Sequence, residues 1–586
     1  MGIGDASEEV VMNKILKVLG VVGLLTVWLA PAHAETSQKP NFLVIVADDL
    51  GWSDLGFLGS SIRTPTLDAL AQDGVFMSHF YVAPTCSPTR SMLMTGVSNQ
   101  AAGLGTMHGM QTPNQIGQRE YGAQLHDQVL TVAEMLQAHD YVTSMSGKWH
   151  LALDSDQYPN QRGFDHSFGL IQGGASHFAD QMQLHLAEDV TYHENGEAID
   201  LADDFYSTTA YTDKIIEFID KSGSSPFFAY VAYTAPHDPL QVPDGWLDEY
   251  AGVFDAGPAD FKERRRQRLV ELGIITVEAQ MAETLNFPSW LPSYKRPWAE
   301  RPADEQQADT RRMEIYASMV ELMDQEIGRL LAHLEANDKL ENTYVMFLSD
   351  NGASTTTPLV YLRNTREWIH ENFDLSVEQM GRQASFTTMG RDWANVSNTP
   401  FRMFKGSVAE GGVRSPLIVS GPTLESNLIN PAPSHVIDIV PTIFDLAEIK
   451  TDRHPLYEGK LLPRGETLVP LLRDATTGNE RILVTELFGN RMVRQNEWKA
   501  VFFGPPLGDE TWQLYDIVAD PSAATDLAAD HPEILNRLET AYDDFAAENK
   551  VIPPNPPLSM RADSFYEGEC NWWCNIRFKL TNSIIN

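Results

Sequence analysis

The sequence predicts an α/β protein: a large mixed, mostly parallel sheet sandwiched by helices, followed by a smaller antiparallel sheet with one packed helix. Three observations lead there. Apolar, β-rich runs punctuate the first two thirds of the chain and are continuous rather than alternating, as strands covered on both faces are. Helical patterns lie between them. After about residue 450 the texture changes to short strands separated by polar turns.

The elements follow in order. Residues 42–47 (FLVIVA), 227–233 (FFAYVAY) and 344–348 (YVMFL) read as buried strands, and 141–146 (YVTSMS) as a weaker one. Thr131 and Glu134 form a capping box ahead of Val132, Ala133 and Leu136. Met313, Tyr316, Val320, Met323, Ile327, Leu330, Leu331 and Leu334 mark a long amphipathic helix that leads into the last strong strand. Beyond residue 450, residues 482–486, 498–503 and 512–515 read as strands and 532–549 as a helix. The stretches 172–200, 243–308 and 353–400 lack clean periodicity, and such long insertions in a compact domain are expected to be lids or site walls. Their Trp290, Trp298, Tyr361, Trp368 and Trp393 offer rings to a substrate, or ordinary packing.

The 586 residues suffice for one large domain and a smaller one, with an ordinary globular composition and no fixed-period repeat. A net charge of −37 argues against a nucleic-acid or anionic-membrane partner, because the long-range field repels polyanions. Residues 1–34 have the layout of a secretory signal: Lys14 and Lys17, an apolar run from Val18 to Ala30, then Ala32-His33-Ala34 as a cleavage site. The acidic residues ahead of Met12 suit a signal poorly, so Met12 is the expected start; an uncleaved anchor is the alternative. A catalytic domain over 35–450 and an α+β subdomain over 451–586 complete the expected organisation, and the location is expected to be periplasmic or secreted. Three cysteines are present. Cys570 and Cys574 are spaced to allow a bridge in an oxidising compartment, with two buried thiols as the alternative. Cys86 is then the odd one out.

The reactive residues fall at strand ends. Asp48 and Asp49 follow the first strand, Lys148 and His150 the 141–146 run, His237 the third strand, and Asp350 and Asn351 the fourth. In open α/β sheets, ligands bind outside the carboxyl ends of the strands. Asp48, Asp49, Asp350 and Asn351 offer hard oxygen donors, which suit Ca2+, or Mg2+ if waters complete its shell. Lys148, His150, His237 and Lys405 remain for an anionic group and for proton transfer. Cys86 precedes Ser87, a plausible N-cap, and Pro88, which fits a first helical turn, so its side chain is expected at a helix N-terminus. Arg90 lies about one turn on. A naked thiolate aimed at a metal held by hard oxygens is chemically awkward.

At these residues the chain resembles the type I sulfatases of the alkaline phosphatase superfamily, in their bacterial arylsulfatase branch. The first signature matches residues 84–96 with Cys86-x-Pro88-x-Arg90 intact, and the second matches 141–150, although Asp140 stands where a glycine is usual. With the paired aspartates, Asp350-Asn351-Gly352 and Lys405, the resemblance runs from about residue 40 to 420. It implies an alkaline-phosphatase-like fold and hydrolysis of sulfate monoesters, aryl sulfates first. It implies conversion of Cys86 to Cα-formylglycine by a separate modifying enzyme, and Ca2+ held by Asp48, Asp49, Asp350, Asn351 and the residue at 86. It further implies that Lys148, His237 and Lys405 neutralise the sulfuryl oxygens, that His237 or Lys405 protonates the leaving alcohol, that His150 deprotonates the second hydroxyl of the aldehyde hydrate, and that Arg90 orients that hydrate. Asp350 is a further proton acceptor. Two rival expectations stand beside it: a phosphonate monoester or phosphodiester hydrolase of the same superfamily, and a non-catalytic Ca2+-binding periplasmic protein.

Overall fold

Ten strands make the principal sheet, and its central five are parallel. The computed structural model describes Met1 and residues 39–555, apart from 186–188, 282–297, 356–357, 359–360, 362–363, 475–479 and 505–506. The signal segment, Cys570, Cys574 and Trp290 therefore lie outside the described residues. Strands β1 (Asn41–Ala47), β2 (Val75–Met77), β3 (Phe80–Tyr81), β4 (Val142–Lys148), β5 (His166–Leu170), β6 (Tyr192–Glu194), β7 (Glu197–Ala198), β8 (Phe227–Ala232) and β9 (Thr343–Ser349) come first. They are followed by β10 (Arg414–Ser415), β11 (Leu417–Ser420), β12 (Leu428–Asn430) and β13 (Ser434–His435). The principal sheet runs β12-β2-β11-β9-β1-β8-β4-β5-β6-β7, with β11 antiparallel to β9 on one side and β6 antiparallel to β5 on the other.

The continuous apolar run of β1 is explained by its two faces. Leu43, Ile45 and Ala47 pack into a core with residues of the helices Ser207–Lys221 and Ala303–Ala336, whereas Phe42, Val44 and Val46 pack with Met92, Leu93, Val132 and Leu136 from helices on the opposite face. Every position of the strand is buried, each large side chain contributing about 1.5–3 kcal/mol. The Thr131–Glu134 capping box forms as expected, with Thr131 Oγ1 accepting from the Glu134 amide at 3.0 Å. The long helix starts ten residues earlier than its apolar stripe, because its first turns are polar.

Three local expectations change. The 141–146 run is strand Val142–Lys148, so Lys148 is its last residue rather than a residue beyond it. Ser87 does not cap the helix Cys86–Thr95; Thr85 holds the N-cap position and Cys86 opens the helix. The second sheet has four strands, β14 (Ile482–Leu487), β15 (Asn490–Gln495), β16 (Trp498–Phe502) and β17 (Trp512–Asp516), of which β15 escaped the sequence reading. Its antiparallel face is backed by the helix Pro532–Glu548 through Leu538 and Tyr542. Among the described residues, no helix is long and apolar enough to cross a membrane.

Candidate active site

The four strands that carry the reactive residues are neighbours, in the order β9-β1-β8-β4, and their ends are level. Ala47 pairs with Ser349, Val46 with Ala232, and Ala232 with Gly147. Strands spaced about 4.8 Å apart thus deliver their next residues to one edge. Backbone bonds continue past the strands, from the Asp48 amide to Ala235 O and from the Asp350 amide to Ala47 O, each at 3.1 Å. Asp49 then turns in the left-handed region (φ 69°), and His150 does the same (φ 56°). Asp140, standing where the resemblance leads one to expect glycine, has φ 64°, a conformation that aspartate tolerates better than most residues.

The carboxylates meet cations there. Lys148 Nζ lies 2.5 Å from Asp48 Oδ2, and Lys405 Nζ lies 2.6 and 2.9 Å from the two oxygens of Asp49. Arg90 donates from Nε to Asp350 Oδ2 at 2.9 Å and from Nη1 to the Lys148 carbonyl at 3.1 Å, with Asp48 Oδ2 3.4 Å from Nη2. Asn351 Nδ2 donates to Asp49 Oδ1 at 2.6 Å. Burial opposes ionisation of Asp48, yet Lys148, His237, Arg90 and Lys405 hold it well below the usual carboxylate range. Burial and the neighbouring Asp48 push Asp350 the other way, up to about 6. Three aspartates thus face three permanent cations, so a bound divalent cation leaves the site positive inside a strongly acidic protein. That local excess is what an anionic ester requires.

Cys86 Sγ donates to Asp48 Oδ1 at 3.3 Å. Burial, followed by the charges of Asp350 and Asp48, pushes the thiol above its ordinary range, so it is a poor thiolate. His150 sits across the site with its ring against Gly173, where an added Cβ meets the ring at 2.8 Å. Burial, Lys148 and Arg90 hold its pKa well down, which keeps the ring neutral. His237 Nδ1 donates to the Asp238 carbonyl at 2.6 Å, turning Nε2 to within 3.7 Å of Asp49 Oδ2. All ten residues singled out in the sequence therefore gather at this edge.

The sequence reading missed their supports. Asp238 Oδ1 lies 3.2 Å from His237 Nδ1, and its other oxygen accepts from the Tyr361 hydroxyl at 2.9 Å. His177, buried and held down to about 4, bonds the His237 carbonyl through Nε2 at 3.1 Å. The position of Asp238 beside His237 was the only available signal. Of the other aromatic candidates, half-buried Trp298 packs on Trp393 of the core (centroids 6.0 Å apart), and Trp368 packs edge-on against Phe373.

Ligand atoms of Asp48, Asp49, Cys86 and His237 lie within 4.8 Å of one another, close enough to share a metal ion. Asn351 Oδ1 is buried without a hydrogen-bond partner, an oxygen left for a cation. The carboxylates of Asp48 and Asp49 and the amide oxygen of Asn351 suit a hard ion, whereas the Cys86 thiol does not.

Residues 40–449 match the sulfatase family model. An uncharacterised sulfatase of Schizosaccharomyces pombe is 38% identical over 551 residues, spanning 88% of this chain and 97% of its own. The arylsulfatase of Klebsiella aerogenes is 37% identical over 427 residues, spanning 72% and 89%. Among solved structures, Ps i-CgsB in complex with k-i-k-neocarrahexaose superposes with a TM-score of 0.62 at 23% identity, covering 93% of this chain and 98% of its own. The PsFucS1 sulfatase from Pseudoalteromonas sp. superposes at 0.59 with 19% identity, covering 94% and 95%. Those two likenesses bear on the fold alone.

Proposed function

The chain belongs to the sulfatase family and is a sulfuric ester hydrolase, and from that premise we propose that it cleaves aryl sulfates with Cα-formylglycine made from Cys86 and with Ca2+ held by Asp48, Asp49, Asp350 and Asn351, of which Asp48 and Asp49 stand in the group of close ligand atoms and Asn351 offers an unpaired oxygen. Mg2+ is the weaker fit, because it demands a tighter octahedron. The hydrated aldehyde supplies two hydroxyls on one carbon, one to attack sulfur and one to expel sulfate, and the cation supplies Lewis acidity. The remaining work falls to this chain's side chains. Arg90, fixed by Asp350 and the Lys148 carbonyl, orients the side chain at position 86. Lys148 and Lys405, each held by an aspartate, meet charge on the sulfuryl oxygens. His237 or Lys405 gives a proton to the leaving oxygen, and neutral His150 or Asp350 accepts one.

The observation that carries this reading is Cys86: a protonated thiol 3.3 Å from a carboxylate, among donors that otherwise suit a hard cation. As a thiol it has neither the ionisation nor the ligand character the site calls for. Every residue of the helix Cys86–Thr95 is buried, so a modifying enzyme that reads Cys86-x-Pro88-x-Arg90 acts on the chain before it folds. The name of the Klebsiella relative supports an aryl ester, and the charge of −37 favours a substrate with one sulfate on an otherwise neutral body. The signal-like residues 1–34 support a periplasmic or secreted location.

The test joins two measurements on protein co-produced with a modifying enzyme. Mass spectrometry of the peptide bearing position 86 is expected to find the aldehyde, and p-nitrophenyl sulfate is expected to be hydrolysed faster than a phosphonate monoester. An active enzyme with an intact thiol overturns the nucleophile, and faster phosphonate cleavage transfers the chain to that activity.

A further inference from the structure

Lys405 reaches the site on a loop that is wedged against the second sheet. The loop's own backbone is tight: the Lys405 amide donates to Ala353 O at 3.0 Å, the Gly406 amide to Pro84 O at 2.6 Å, and the Gly411 amide to Arg402 O at 3.0 Å. The turn Glu410–Val413 packs backbone to backbone on the residues flanking Lys405. A Cβ at Gly411 would meet Met403 O at 2.1 Å, and one at Gly412 would meet Ser407 O at 2.0 Å. On its far side, a Cβ at Gly352 would meet Gly411 O at 1.8 Å, so the same turn abuts Asn351-Gly352. A shift of Glu410 therefore has no slack to absorb it before Lys405 moves.

Glu410 is itself pinned from outside the loop. Its Oε2 accepts from Tyr81 at 2.8 Å and Arg414 at 3.0 Å, and its Oε1 from Lys499 Nζ at 2.6 Å, all four residues buried. Lys499 stands on β16, and the apolar side chains around it join Met403, Val408 and Val413 of the loop to Met492 and Val501 of the second sheet. Arg402 of the loop also stacks on Tyr515 of β17, 4.7 Å from its ring centroid.

We propose that Lys499 is a positioning residue for the reaction, holding Lys405 in register with Asp49 by clamping Glu410 from the second sheet. The role of Lys405 rests on the reading given under Proposed function. Burial opposes ionisation of Glu410, but Lys499, Arg414 and Arg494 hold it down at about 2, while burial lowers Lys499 to about 8, so both partners of the clamp are charged between those two values.

The experiment is a double-mutant cycle in the full, modified enzyme, with kcat and KM for p-nitrophenyl sulfate measured for wild type, K499M, K405A and the double variant. K499M is expected to lower kcat by about 10- to 100-fold with little change in KM, and to cost nothing further in the K405A background. Wild-type kcat in K499M, or losses that multiply in the double variant, overturns the proposal. Where K499M does not accumulate folded, K499R, which keeps the charge but not the shape, takes its place in the cycle with a smaller loss and the same criterion. Amide hydrogen exchange supplies a readout that needs no turnover. Faster exchange in residues 402–413 with unchanged exchange in β1 is expected for either variant, and unchanged exchange in 402–413 overturns the clamp. A wild type that hydrolyses no sulfate ester instead overturns the reading of the reaction, and the exchange result stands apart from it.

Discussion

Two clusters of buried charge, joined by one loop, are built to opposite ends. Around Glu410 both carboxylate oxygens are occupied by close donors from Lys499, Tyr81 and Arg414. Around Asp48, Asp49 and Asp350 the cations are shared and the set is incomplete: Asn351 Oδ1 and His150 Nδ1 lack hydrogen-bond partners, and a thiol sits against a carboxylate. Their acid–base behaviour follows. Glu410 is pulled from its ordinary 4.5 to about 2, whereas Asp350 is pushed from 3.8 to about 6. A saturated cluster fastens parts of a fold together, and an unsaturated one at a sheet edge holds potential for a ligand and for chemistry.

The largest break in that contrast comes from Cys86. If the unsaturated cluster is organised around an oxygen nucleophile derived from it, C86S should lose sustained turnover by more than about 10³-fold. The fold should survive, because a hydroxyl still donates to Asp48. Steady-state rates with circular dichroism check it, and full activity in C86S refutes the mechanism. Metal removal comes next. Chelation is expected to reduce the rate at least about 100-fold, with Ca2+ restoring it better than Mg2+. Added Ca2+ at 100 times its Kd should stabilise the chelated protein by about 2.7 kcal/mol. That gain should shrink as the pH falls through about 6, where Asp350 takes up a proton that competes with the ion. Thermal melts across pH 5–8 decide it.

Part of the unsaturated cluster was legible in the sequence, because Asp48, Asp49, His237, Asp350 and Asn351 come after strands whose apolar runs are continuous. Asp48, His237 and Asp350 needed only the rule that parallel strands present their carboxyl ends together. The strand order that makes β9, β1, β8 and β4 neighbours was not legible, since register between distant segments is set by packing. The saturated cluster was invisible for the same reason. Glu410 and Lys499 lie 89 residues apart, and neither has a neighbour in sequence that marks it. β15 was missed because Arg491 and Arg494 break its apolar alternation, yet Arg491 stacks on Phe502 and Arg494 on Tyr81. Cation–π contacts of that kind leave no periodicity behind.

The saturated cluster is tested through stability. E410Q keeps the shape but leaves Lys499 and Arg414 as buried charges without a counter-ion, a loss of about 3–5 kcal/mol. Its pH signature has a fixed sign. The folded pKa of Glu410 lies below its ordinary value, so its contribution is present above 4.5 and is lost as the pH falls toward 2. Wild-type stability should therefore fall by up to about 3 kcal/mol over that window through this residue, and E410Q should lack that part of the slope. Denaturant melts at pH 7, 4.5 and 3 read it, and parallel slopes would remove Glu410 from the account.

The smallest effect concerns Tyr361, which bonds a support of the unsaturated cluster. Its hydroxyl donates to Asp238, whose other oxygen faces His237, so it steadies a site residue without touching the metal group. A buried hydrogen bond of this kind contributes about 1 kcal/mol, so Y361F should lower kcat by about five-fold and leave the midpoint of unfolding nearly unchanged. The comparison variant is H237A. A loss in Y361F as deep as that of H237A would mean that the incomplete cluster depends on the insertion to exist at all. No loss would mean that Asp238 holds His237 through its backbone carbonyl alone, and that Tyr361 does not tune the site.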